Sequence, residues 1–361
     1  MASLNQRTWP RLVVIGKAFF LSRMRWLAAR DIAAIVAFLF ALNALNVANS
    51  FVGRNFVTAI AQRDPKRYLH FAVLYIVVFA ASTVAGVCQQ FVQDRLALCW
   101  RDWLTRHLID RYLSGHAFDR IRSNKDIDNP DQRIAEDVRT FTSTLLSFSV
   151  MVVNSTLTTL AFAGVLWSID PLLLLTAALY AAFGSGFAFA IGYRLVGLNN
   201  LQLKKEADLR FSLIRVREHE EPLGESETRQ VGRRVLGRLR RVVHNGRAII
   251  GVSRNVGFFT SGYHYLVQIL PILIVAPLYL SRTVEFGVVT QSAMAFAQLL
   301  GAFSLVVAQF QAISTLGAAI HRLGSLWEEM DGTGPEAIPE AMPSGIPTSR
   351  PSCPSTSAEA M

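Results

Sequence analysis

Six stretches of this chain lack Asp, Glu, Lys and Arg for long enough to cross the hydrocarbon core of a bilayer. They are Ile32–Gly53, His70–Gln93, Thr140–Ile169, Pro171–Tyr193, Asn255–Ser281 and Phe286–His321. A crossing helix needs about 20 apolar residues, each contributing about 1.5 Å towards roughly 30 Å of hydrocarbon. Lipid offers no hydrogen bonds to an exposed backbone, so uncharged blocks of this length predict spanning helices. The third and sixth exceed the requirement, which predicts that they run on into water or tilt. Composition agrees: 52% of the residues are hydrophobic and 17% charged, a membrane-like balance.

The formal net charge of +10 is unevenly placed. Of the 36 Lys and Arg, all but Arg54, Arg63, Lys66, Arg67 and Arg282 fall in the N-terminal segment, Asp94–Arg139, Arg194–Arg254 or the C-terminal tail. Basic residues accumulate on the cytoplasmic side of spanning helices, so both termini and both long loops are expected there. The excess is a topology signal and not a nucleic-acid footprint. Cys88, Cys99 and Cys353 are an odd number without metal-ligand spacing and imply neither a disulfide framework nor a zinc site. The first thirty residues carry six basic residues spread throughout, with no isolated apolar region and no small-residue cleavage site, so they are not expected to form a cleavable signal. The alternation of Leu12, Val13, Ile15, Phe19 and Phe20 with Lys17, Arg23 and Arg25 predicts a helix lying against membrane lipid in the cytoplasmic interface.

Between the second and third blocks, residues 94–139 balance nine acidic against nine basic side chains. That balance and the stripe Leu96, Trp100, Trp103, Leu104, Leu108, Tyr112 predict a solvated helical leg. The leg should turn back at Asp128-Asn129-Pro130-Asp131-Gln132-Arg133, with Glu136 and Asp137 following. Asn129 is placed as N-cap, Pro130 as first helical residue and Gln132 to close a capping box. Residues 194–254 repeat the design. Glu206 and Arg210 are spaced for an i,i+4 pair, Leu203, Ala207, Phe211 and Ile214 share a face, and Pro222 and Gly224 mark the tip. The returning leg is rich in arginine, as expected of a solvated leg close to the cytoplasmic leaflet. Within the spans, Asn43, Asn46, Asn49, Gln89, Gln90, Asn154, Gln268, Gln291 and Gln298 are candidates to face a central cavity, since polar side chains avoid lipid. For the asparagine stripe, hydrogen bonding between helices is the equal alternative. No paired carboxylates, H-E-x-x-H or nucleophile elbow occurs, which weighs against a membrane enzyme.

At this point the residues resemble a family. Asp128 to Arg133 with Glu136-Asp137-Val138 is similar to the first-loop signature of ATP-binding-cassette half-transporters related to the SbmA/BacA peptide permeases, and more distantly to peroxisomal fatty-acyl half-transporters. Trp100 to Thr105 and Asp110 to Leu113 match that family's approach to the first arm. Glu206, Arg210, Phe211, Arg215 and Glu218 resemble its second-arm, EAA-like motif. The stretch Glu220-Glu221-Pro222-Leu223-Gly224-Glu225 departs from the family's helical continuation there.

The resemblance implies an all-α integral membrane protein with a six-helix, exporter-type (type 1) transmembrane domain over 32–329 and two cytoplasmic arms, 94–139 and 194–254. It implies coupling helices at the arm tips and a homodimer enclosing the cavity, in a bacterial inner membrane. Peptides or other bulky solutes, cobalamin and acyl-CoA derivatives among them, are the substrates it suggests. No G-x-x-x-x-G-K-[ST] loop occurs in the chain, so it is expected to bind no cofactor itself. ATP is expected on a nucleotide-binding domain or ATPase subunit acting in trans, and the tail 330–361, rich in Pro, Ser, Ala and Gly, is expected to be a disordered, truncated end. The alternative is a stand-alone proton-coupled importer of the SbmA/BacA kind. Its spans would then need titratable groups, and these contain no Asp or Glu, only His70, His264 and His321.

Overall fold

The computed structural model describes residues 8–22, 24–114, 118, 120–121, 129–217 and 225–331, and the described residues contain helices and no strand. In order they are α1 (Thr8–Phe20), α2 (Arg25–Ala61), α3 (Pro65–Leu113), a single turn at Pro130–Gln132, a π-helical segment at Arg133–Asp137, and α4 (Val138–Ile169). There follow α5 (Pro171–Arg217), α6 (Glu225–Leu280), α7 (Phe286–Ala308) and α8 (Phe310–Asp331).

Among the described residues, four helices are long and apolar enough to cross a membrane: Arg25–Ala61, Pro65–Leu113, Pro130–Ile169 and Thr228–Leu280. They carry the first, second, third and fifth uncharged stretches. Pro171–Gly184 and Phe286–Ala302 are shorter apolar helices at the fourth and sixth. The sixth stretch is not one helix, because the chain leaves helical geometry at Gln309 before α8 begins. At about 1.5 Å per residue, the 49 residues of α3 and 56 of α6 far exceed a hydrocarbon thickness of roughly 30 Å, so each extends beyond any bilayer it crosses. Cys88 is a free thiol.

The short connections are built from a repeated device. Asp64 accepts hydrogen bonds from the backbone N–H of Lys66 and Arg67 at 3.0 and 3.1 Å, with Pro65 opening α3. Asp170 accepts from the Leu172 N–H at 2.8 Å, with Pro171 opening α5. An acceptor followed by proline satisfies orphan donors and removes one of them, so helices restart after a one-residue connection at Asp170. α2 and α6 each stop on an arginine in the left-handed region, Arg63 (φ 56°) and Arg282 (φ 61°). In both cases the next N–H reaches back five residues, Asp64 to Ala59 O and Thr283 to Leu278 O, each at 3.0 Å, the Schellman closure.

The chain forms two compact units, Met1–Gly164 with Gly301–Met361, and Val165–Leu300. The core of the first lies where α1, α2, α3, α4 and α8 meet, around Ile15, Phe19, Trp100, Leu104, Leu108, Phe141 and Leu326. Phe19 stacks on Trp100 with ring centroids 5.3 Å apart. Full burial of a side chain such as Leu104 or Phe141 contributes about 1.5–3 kcal/mol. By contrast, the most apolar part of α3 is uncovered along Val73, Ile76, Val77, Phe79 and Val84, as suits a surface facing lipid. In the second unit Tyr180 and Tyr263 stack at 4.3 Å, and the Tyr180 hydroxyl donates to the Tyr263 carbonyl at 2.8 Å. The Tyr263 ring lies so close over Gly184 that a Cβ there would collide with it. Gly184 is thus a packing residue, and Gly186 has open space.

Candidate coupling site

The first-arm signature is organised around its buried members. Asp128 lies outside the described residues. Asn129 adopts the left-handed conformation (φ 44°, ψ 61°) and makes no side-chain cap, so the anticipated capping box does not form. Its backbone turns the chain instead, a role asparagine fills more readily than most residues. Pro130 opens the helix as anticipated, Asp131 is exposed, and the freed Gln132 Nε2 donates to Glu136 Oε2 at 3.1 Å.

Arg133 and Asp137 point the other way, only 5% and 3% exposed. The Val138 N–H bonds to the Arg133 carbonyl, the five-residue reach of a π turn, a local widening frequent at functional sites. Arg133 Nη1 donates to the Arg322 carbonyl at 3.0 Å and to Ser325 Oγ at 2.8 Å. Arg322 in turn grips Asp137 bidentately, Nε to Oδ2 at 2.6 Å and Nη2 to Oδ1 at 2.5 Å. Planar fork-to-carboxylate pairing is the strongest geometry available to these groups.

The same stretch of α8 is held from two other sides. Arg11 of α1 pairs with Glu328 through Nε–Oε1 at 2.8 Å and Nη2–Oε2 at 2.7 Å, and Nη1 reaches the His321 carbonyl at 3.3 Å. Arg111 of α3 lies over the Trp327 ring, 4.8 Å from its centroid, and Arg120 donates to the Met330 carbonyl at 2.9 Å. The carbonyls at the end of a helix have no partners within it, so Met330 is where an outside donor is needed. Arg11, Arg322, Ser325 and Glu328 were not singled out in the sequence. Their signal is faint: a last helix with arginine and glutamate six apart, beyond the final apolar block.

The second arm is organised differently. Asn245 Nδ2 donates to the Leu198 carbonyl at 3.0 Å and to Gln202 Oε1 at 2.8 Å, and Arg238 bonds the Asp208 carbonyl and Ser212 Oγ. Glu206 accepts from Gln202 at 2.9 Å, and Arg210 is exposed. The apolar face of Leu203 and Phe211 is turned outward, 66% and 53% exposed, because the polar side of α5 meets α6. Arg215 lies over the Phe211 ring at 4.8 Å. Glu218 and the tip around Pro222 lie outside the described residues.

Among the polar span residues, Asn43 and Asn154 are brought together. Asn43 Nδ2 donates to the Leu39 carbonyl at 2.9 Å and to Asn154 Oδ1 at 3.1 Å, and its Oδ1 accepts from Thr158 at 2.9 Å. Gln89 donates to Gln93 at 2.8 Å, and Gln93 to Ser147 of α4 at 3.2 Å. Gln90 donates to Asp94 at 3.0 Å. Asn49 is half-buried, Gln291 is buried, and Asn46, Gln268 and Gln298 are exposed. Among the described residues no cluster of His, Cys, Asp and Glu is arranged to hold a metal ion.

This architecture has a family. Residues 15–280 match the model of ABC transporter transmembrane region 2, and the chain belongs to that family of transporter membrane domains. Particular relatives sharpen the placement within ABC half-transporters. The chain is 40% identical over 334 residues to the ABC transporter D family member 2, chloroplastic, of Arabidopsis thaliana, covering 91% of this chain and 47% of that protein. It is 36% identical over 337 residues to an uncharacterized ABC transporter ATP-binding protein of Synechocystis, covering 90% and 50%. The human lysosomal cobalamin transporter ABCD4 is 24% identical over 297 residues, covering 75% and 46%. The chain thus spans about half the length of the curated relatives it matches.

Proposed function

We propose that the chain is the permease part of an ABC half-transporter that carries peptides or other bulky solutes across a bacterial inner membrane, working as a homodimer. Six spans would line a shared cavity, both termini and both arms would lie in the cytoplasm, and ATP would be hydrolysed on a nucleotide-binding domain outside these residues. The observation that carries this reading is the fate of the first-arm signature: Arg133 and Asp137 are buried against α8, a helix that runs on past the last uncharged stretch. An arm so attached is suited to pass a displacement from a cytoplasmic motor to the spans. Membership of the ABC family supports ATP as the energy source over a proton gradient, as does the lack of Asp and Glu in the uncharged spans.

The test is transport into inverted membrane vesicles or proteoliposomes holding the chain with its ATPase domain, using a labelled peptide and cobalamin as probes. Accumulation that requires ATP and survives a protonophore supports the reading. Movement without ATP that the protonophore abolishes overturns it in favour of a proton-coupled importer. External cysteine labelling should reach position 64 or 282 and not 129.

A further inference from the structure

The end of α8 is held by side chains from separate parts of the chain, and the two grips share a helical stretch of seven residues. Arg322 and Ser325 face the first arm; Glu328 faces α1, and the Arg11 stem crosses Gly324 on its way there. One member of each pair is withdrawn from water, Arg11 at 10% and Asp137 at 5% side-chain exposure, and holds a partner nearer the surface, Glu328 at 26% and Arg322 at 46%. Gly324 leaves no room for a Cβ beneath Arg11, so the close approach is built in. A helix that needed only to be anchored to the bundle would be served by Leu323 and Leu326, which are already buried there.

We propose that Arg11 and Arg322 are positioning residues that make α1, the π segment of the first arm and the end of α8 a single mechanical body. A displacement delivered at the arm is then passed to the end of α8, and α1 is part of the transmission as well as a membrane anchor. The use of this body in transport rests on the reading given above; its existence does not.

The test is hydrogen–deuterium exchange on the purified full chain in lipid nanodiscs. Arg11 makes its hydrogen bonds and ion pair to α8 and none to the first arm, so Arg11→Ala is informative. It should raise amide exchange about tenfold both at 321–330 and at 133–141. Loosening confined to α1 and 321–330 would overturn the proposal, since that is what a merely local contact gives. Asp137→Arg should likewise loosen α1 as well as its own segment, and Asp137→Arg with Arg322→Asp should return exchange to within about twofold of wild type. A swap no better than its parts overturns the pairing. Should the charge reversals fail to fold, Arg322→Lys, which keeps the charge and loses the fork, should give an intermediate increase at both distant sites. With the ATPase domain present, Arg11→Ala should leave ATP hydrolysis within twofold and lower solute moved per ATP at least fivefold. If wild type moves no solute, the transport reading fails while the exchange result stands.

Discussion

Arg95 of α3 meets Asp31 of α2 with its Nη2 2.5 Å from Oδ1, the two side chains 14% and 5% exposed. Asp31 immediately precedes the first uncharged stretch and Arg95 follows the second by two residues. Consecutive antiparallel helices bring those two boundaries to one level, and the pair closes the base of α2 and α3. Arg30, 59% exposed, adds a second and weaker contact at 3.1 Å. Removing one partner of a buried pair strands the other charge, so Asp31→Asn should destabilise the chain by about 3–5 kcal/mol, and the double substitution Asp31→Leu with Arg95→Met should recover most of it. Thermal unfolding in detergent measures both.

The Asn43 knot permits a graded version of the same measurement. Thr158→Val deletes a single interhelical hydrogen bond and should cost about 0.6 kcal/mol, the typical value in a membrane. Asn43→Leu strips Asn154 and Thr158 together and should cost about 1–2 kcal/mol. Equal losses from both would show that Asn43 does not serve as the shared centre.

At Gly324 any side chain displaces Arg11. Gly324→Val should therefore lower stability by at least about 2 kcal/mol through loss of charge-assisted hydrogen bonds. Adding Arg11→Ala to it should cost less than about 0.5 kcal/mol more, because substitutions that break one contact do not add. A fully additive double variant would separate the glycine from the ion pair.

Two substitutions should stabilise. Arg63 and Arg282 occupy the left-handed position that closes α2 and α6, and both are exposed. That conformation costs a non-glycine residue roughly 1–2 kcal/mol, against roughly 0.5–1 kcal/mol of added unfolded-state freedom for glycine. Arg63→Gly and Arg282→Gly should each raise stability by about 0.5–1 kcal/mol, read as a higher unfolding midpoint.

The helical class was legible in the sequence because absence of charge over twenty residues leaves few alternatives. Four of the six uncharged blocks correspond to helices long enough to span. The break at Gln309 was not legible, since Ala308-Gln309-Phe310 contains neither proline nor glycine to announce it. The first-arm motif could be read as a turn, but the roles within it could not. A capping box is a local pattern, whereas the partners of Arg133 and Asp137 lie nearly two hundred positions away, at Ser325 and Arg322. The apolar face of Leu203 and Phe211 shows the converse. Periodicity found the stripe, and it faces outward because Asn245 and Arg238 hold the opposite, polar face of α5.

The wide turn from Arg133 to Asp137 has a geometric corollary. Such a turn accommodates one extra residue relative to a regular α-helix, and each residue of a regular helix advances the chain by about 100° around its axis. The surplus is absorbed where it occurs, because the widened turn holds the extra residue within one revolution and the helix on either side keeps its alignment. Excising one residue, Ala135 for example, would therefore close the segment into a regular α turn and bring Arg133 and Asp137 one position closer along the chain. Point substitutions at the surface could not imitate that change, so the length of this segment governs the spacing of its two gripping side chains.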